Sequence, residues 1–141
     1  MFDPTTIEVL EQTTVHMKDA NKAKLYEPKL PDPAAKPVEI TLWGPGSQQF
    51  QAAADARVQR RVARNKKVGD SPLSSDEVRD ENITFLLDVT AGCSPNLAAP
   101  EDANRAFFEK IYRNPKLGFW FEQLNDELKD WGNFTASSQT A

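Results

Sequence analysis

The sequence predicts an α+β fold: a small N-terminal antiparallel β pair followed by a mainly helical domain of about four helices. Three observations predict it. Near the N-terminus apolar and polar residues alternate, with many β-branched side chains. From residue 48 onward the apolar residues recur every three or four positions instead. Breaks rich in glycine and proline, at 44–46, 69–72, 92–95 and 114–115, divide this second part into segments of helix length. The 141 residues suit one domain with a modest core, and a mean hydropathy of -0.60 leaves room for loose segments.

The β pair is expected within 5–43. Ile7 and Val9 alternate with polar neighbours, as do Val15 and Met17. Residues 19–37 form a polar connection ending in Leu30-Pro31-Asp32-Pro33-Ala34-Ala35-Lys36-Pro37, where each proline removes a backbone donor. Val38, Ile40 and Leu42 then share one strand face, with Glu39, Thr41 and Trp43 on the other. Residues 1–46 are thus read as a hairpin-like N-terminal part with a long loop.

The helical domain is expected over 47–131. Ser47 can cap a first helix, 48–67, with Phe50, Ala54, Val58 and Val62 as its apolar stripe. Ser74 or Ser75 can cap a second, 75–91, whose early Asp76, Glu77, Asp80 and Glu81 suit the helix dipole. Its buried face is Val78, Ile83, Leu86, Leu87 and Thr90, which places it at the centre, and Gly92-Cys93-Ser94-Pro95 ends it. A third, 101–113, carries Ala103, Phe107 and Ile111. A fourth, 116–131, carries Trp120, Leu124, Leu128 and Trp131. The polar residues 132–141 are expected to be a disordered tail.

Several chemistries are excluded at this level. Cys93 and His16 are the only residues of their kinds, so disulfides, cysteine clusters and His–His relays are excluded, and nothing marks the two as a catalytic pair. Gly44-Pro45-Gly46-Ser47 lacks the lysine of a P-loop. Acidic pairs at i, i+4, such as Asp76/Asp80, Glu77/Glu81 and Asp126/Asp130, read as solvated helix faces. No cofactor or metal is expected, and the chain reads as no enzyme. No apolar run is long enough for a membrane span, and Met1-Phe2-Asp3-Pro4 opens no secretory signal, so a soluble protein of a reducing compartment is expected.

Two features point to protein partners. The net charge of -4 divides into -2 over 1–46, +5 over 47–69 and -7 over 70–141. Arg57, Arg60, Arg61 and Arg64 lead the basic run. No aromatic interleaves with them, so nucleic acid is not the expected ligand. An acidic protein surface and a merely solvated face both fit, and the charges could also be satisfied within the chain. The second feature is a surplus of aromatics. One helical stripe accounts for Phe107, Trp120 and Trp131, which leaves Phe108, Phe119 and Phe121 as candidates for a partner surface.

The order of features resembles the tail assembly chaperones of long-tailed bacteriophages. The phrases that carry the resemblance are Ile40-Thr41-Leu42-Trp43-Gly44-Pro45-Gly46-Ser47, Gln48-Gln49-Phe50-Gln51-Ala52-Ala53, Glu81-Asn82-Ile83-Thr84-Phe85-Leu86-Leu87 and Asn114-Pro115-Lys116-Leu117-Gly118-Phe119-Trp120-Phe121-Glu122-Gln123-Leu124. Asn133-Phe134 adds to them near the end, and the likeness spans roughly 5–134, though the loop at 19–37 has no counterpart in the pattern. The resemblance implies a small, self-associating protein of the host cytoplasm, with no enzymatic activity. It would coat the tape measure protein before the tail tube polymerises and be absent from the finished virion. It also implies a longer, frameshifted form that engages the tail tube protein. The alternatives are a structural virion component, such as a head–tail connector or tail terminator, and a small nucleic-acid-binding regulator.

Overall fold

The computed structural model describes residues 1–135, and these form an α+β fold. Strands β1 (Gln12–His16) and β2 (Glu39–Trp43) are followed by helices α1 (Gln48–Val68) and α2 (Ser75–Asp88). Strand β3 (Thr90–Cys93) and helices α3 (Arg105–Arg113) and α4 (Gly118–Leu128) complete the order. The sheet is antiparallel in the order β1-β2-β3, with Val15 opposite Ile40 and His16 opposite Glu39.

The alternation in β2 works as its sequence suggests. Ile40 and Leu42 are wholly enclosed, and Val15, Met17 and Val38 join them beneath Ile83, Leu86, Val89 and Leu124. The N-terminal alternation does not. Ile7 and Val9 lie outside the sheet, after a single 3-10 turn at Pro4–Thr6 capped by Asp3.

β3 is the unexpected element. The second helix was expected to run to 91, but it stops at Asp88, and Thr90–Cys93 add a third strand along β2. Trp43 N donates to Val89 O at 2.7 Å, and Ser94 N donates to Glu39 O at 2.9 Å. Thr90 sits at helical spacing from Leu86, and its hydroxyl does donate to Leu86 O at 2.7 Å. Its backbone, however, satisfies the open edge of β2. The sheet therefore draws on the middle of the chain, and sheet and helices share one core across the expected division at residue 46.

The helix caps follow the sequence. Ser47 Oγ accepts from Phe50 N, and Ser74 with Glu77 forms a reciprocal capping box. α3 starts at Arg105, not at 101, because Asn104 caps it through Phe107 N at 2.9 Å. The fourth expected helix divides into a 3-10 turn at Pro115–Leu117, α4 itself, and a second 3-10 turn at Trp131–Phe134. Trp131, expected in the core, is 56% exposed. Phe134, expected in the tail, is fully buried instead, and its carbonyl accepts from Leu10 N at 2.7 Å. Gly44 lies against the Phe134 ring so closely that a Cβ there would collide with it. Residues 132–135 thus belong to the fold, and the rest of the expected tail lies outside the described residues.

α4 also closes the outer edge of β1. Gln123 donates to His16 O at 2.9 Å and accepts from Lys18 N at 3.2 Å, so its carboxamide pairs as a neighbouring strand would. Trp120 Nε1 donates to Lys18 O at 2.8 Å. These bonds satisfy edge groups that would otherwise invite another strand.

Candidate partner surface between three helices

The basic run turns mostly inward. Arg60 forks onto Glu81, with Nη2 to Oε1 at 2.6 Å and Nε to Oε2 at 3.1 Å, and its Nη1 lies 3.6 Å from Asp88. Arg64 donates to Glu77 at 2.8 Å and to the carbonyls of Ser71 and Pro72. Arg57 donates to Asn82 at 3.0 Å, and its guanidinium lies over the Phe85 ring at 4.2 Å. The acids of α2 that suit its own dipole thus also face the cations of α1. Arg64 and the Ser74 N–H hold the Glu77 carboxyl down to about 2, and Arg60 holds Glu81 below the usual carboxylate range. Three of the four arginines assigned to a partner are therefore engaged within the chain. Arg61 remains, with Lys66 and Lys67, without an ion pair among the described residues.

The aromatics sort differently from expectation. Phe108 was assigned to a partner surface, yet it is 4% exposed and stacks on Tyr112 with ring centroids 6.2 Å apart. Tyr112 is hydrogen-bonded to the Thr90 hydroxyl at 2.7 Å, and burial pushes its phenol upward. The inward face of α3 is therefore Phe108 and Tyr112, while Phe107 and Ile111 are only partly covered. The stripe of Ala103, Phe107 and Ile111 is the more apolar in sequence, and the structure buries the other one, whose Tyr112 hydroxyl finds a partner in Thr90. Phe119 and Phe121 flank the buried Trp120 and are half-buried against the core.

Phe121 has a second role as a wall. Helices α1, α2 and α4 enclose an open groove of about 790 Å³. Phe50, Ala54 and Phe85 form its floor, with the Phe50 and Phe85 rings edge to face at 5.3 Å. Val58, Phe121 and Leu128 line its sides, and Glu122, Asn125, Asp126 and Lys129 stand on the α4 rim. Val58 is 63% exposed, and α1 buries only Ala53 fully. Of the residues assigned to a partner, Arg57 and Phe121 meet here. Phe108 does not, and neither Arg61 nor Phe119 lines this groove. Phe50, Phe85 and Leu128 were not singled out as partner residues, since their joint exposure arises only when three helices meet. The available signal was Val58 and Val62, two more apolar residues than the core of α1 could absorb.

The reactive side chains are engaged structurally. His16 Nε2 is hydrogen-bonded to Leu25 O at 2.7 Å, and its ring meets Tyr26 edge-on at 4.8 Å. The Cys93 thiol approaches Ala98 O, and burial pushes it up. Among the described residues no cluster of His, Cys, Asp or Glu could hold a metal ion, and no helix is long and apolar enough to cross a membrane.

Compared with known protein families, curated proteins and solved structures, the chain matches none.

Proposed function

We propose that the chain is a tail assembly chaperone of a long-tailed bacteriophage. It acts in the host cytoplasm, holds the tape measure protein while the tail tube polymerises around it, and leaves before the virion is complete. Its longer frameshifted form engages the tail tube protein. One observation supports the reading beyond the resemblance in sequence. The groove between α1, α2 and α4 offers an apolar floor and an exposed valine on a surface otherwise rich in charge. Such a trough accepts the apolar face of an amphipathic helix, with anchors spaced at one turn. A chaperone for a long, aggregation-prone client needs apolar surface that stays in solution, and charged rims around a groove meet that need.

The test is co-expression with the tape measure protein, scoring soluble client beside melting curves. Phe121→Ala, at the groove wall, lowers soluble client more than it lowers thermal stability. Trp120→Ala removes a buried indole and its bond to Lys18 O, so it mainly destabilises, by roughly 3–5 kcal/mol. The reading fails if Phe121→Ala leaves client yield at the parental level at matched folded fraction.

A further inference from the structure

We infer that the segment of client held here is a helix of about four turns, and that Val62 at one end and Trp131 at the other extend the groove into the track that holds it. The inference rests on the reading of the groove as the client site. It adds the length of the segment and two residues outside the groove that grip it.

The groove by itself is short. On α1 it runs from Phe50 to Val58, and on α4 from Phe121 to Lys129, about 12 Å in each case at 1.5 Å per residue. That length seats two turns of a partner helix. Apolar surface continues past both ends. Val62 lies one turn beyond Val58, rotated by about 40°, and the two are 48% and 63% exposed. At the opposite end Trp131 follows Lys129 by two residues and stands beside Gly46, one turn before Phe50. Its ring comes within 3.8 Å of where a Cβ on Gly46 would lie, yet more than half of the residue is exposed. The end of α4 therefore lies at the start of α1, with Trp131 at the Phe50 end of the trough and Val62 beyond the Val58 end. From Gly46 to Val62 the chain rises about 24 Å along α1, the length of a helix of roughly sixteen residues.

Two arguments fix the chemistry of the occupant. The walls are side chains of helices whose backbone groups are already paired within them. The trough therefore offers nothing to the peptide groups of an extended chain, whereas a helix brings its own hydrogen bonds. The flanking charges are of both signs: Arg57, Arg61 and Lys129 stand among Asp55, Glu122 and Asp126. Arg57 is engaged by Asn82 and the Phe85 ring, and Asp126 and Lys129 lie 3.6 Å apart. Such a rim sets up no field of one sign. It selects neither a polyanion nor an anionic lipid surface, and it fits a helix whose polar face carries both signs. The two middle turns of that helix fill the trough, and the apolar residues one turn further out on either side meet Val62 and Trp131.

The test uses two designed peptides of about sixteen residues, each held helical by a side-chain staple, with lysine and glutamate on the polar face. One carries leucine along its whole apolar face. The other carries leucine only in its two middle turns and serine outside them. Binding to the intact chain is read by anisotropy of a dye on the peptide and by the chain's own tryptophan emission. The full-face peptide binds about tenfold tighter, and it alone shifts the emission to the blue. Val62→Ser and Trp131→Ala, both at exposed positions and scored as folded by their melting curves, each weaken the full-face peptide by about three- to tenfold and leave the other peptide unchanged. Trp131→Ala also abolishes the blue shift, and Phe121→Ala weakens both peptides. The inference is overturned if the two peptides bind alike, if neither binds, or if the Val62 and Trp131 variants hold the full-face peptide as the parent does. Equal binding of the two peptides removes the track while leaving the groove as the client site. Client yield in the co-expression assay is a separate readout, so either proposal can fail alone.

Discussion

Replacing Phe134 by alanine tests whether the last turn is a structural part of the domain. The ring is wholly enclosed, although it lies beyond the last helix. Truncating a buried phenylalanine to alanine costs roughly 3–5 kcal/mol, from lost transfer energy and the cavity left behind. Domains of this kind are stable by about 5–15 kcal/mol, so the loss is a large share. At about 2–4 °C per kcal/mol for a chain near this size, the melting temperature falls by roughly 6–20 °C. Gly44→Ala attacks the same contact from the other side, because its methyl meets the ring of Phe134. In Phe134→Ala the cavity admits that methyl. The double variant is therefore less destabilised than the sum of the singles, with a coupling of about 0.5–3 kcal/mol. The assay is urea unfolding followed by tryptophan fluorescence for the parent, both singles and the double. A Phe134→Ala loss below about 1 kcal/mol, or strict additivity with Gly44→Ala, refutes the docking of the last turn.

Three further outcomes are expected. Glu77 has a folded value of about 2 against an ordinary 4.5, so its contribution is present above 4.5 and is lost as pH falls toward 2; Glu77→Gln flattens that part of an acid-unfolding curve. Glu127 goes the other way: burial raises its carboxyl, so its ionisation opposes folding as pH rises above the ordinary 4.5, fully so beyond the raised value, and Glu127→Gln raises the melting temperature at pH 7 while changing little at acid pH. Arg60→Glu sets like charges against Glu81 and Asp88 and lowers thermal stability, and adding Glu81→Arg recovers part of the loss in the same melting assay.

The parts of the fold written in local chemistry were legible. Ser47 and Ser74 announce the starts of α1 and α2, and Val38, Ile40 and Leu42 announce β2. What was not legible depends on a distant neighbour. Thr90–Cys93 carry no strand pattern of their own and become β3 because β2 offers an unpaired edge. Phe107 and Phe108 exchange roles because α3 rolls Phe108 and Tyr112 inward, against the more apolar stripe of Ala103, Phe107 and Ile111. Arg57, Arg60 and Arg64 form a conspicuous basic run, but the acids that engage them are a helix away in α2. For the candidate surface, the sequence exposed a surplus of aromatics on α3 and α4, of which Phe121 alone lines the trough. Only the packing of three helices turned Phe121 and Val58 into sides of one trough.

The carboxamide of Gln123 has a mechanical consequence. α4 is anchored to the sheet by Trp120 and Gln123, which hold consecutive peptide groups of one strand edge. Phe121 and Glu122 lie between those two anchors in sequence and line the trough. One short helix thus acts as a bracket, bolted to the sheet by some side chains and carrying the wall with others. A slip of β1 by two residues would carry the bolts with it and change the width of the trough. Strand register, set by Val15 against Ile40, therefore gauges the width of the trough.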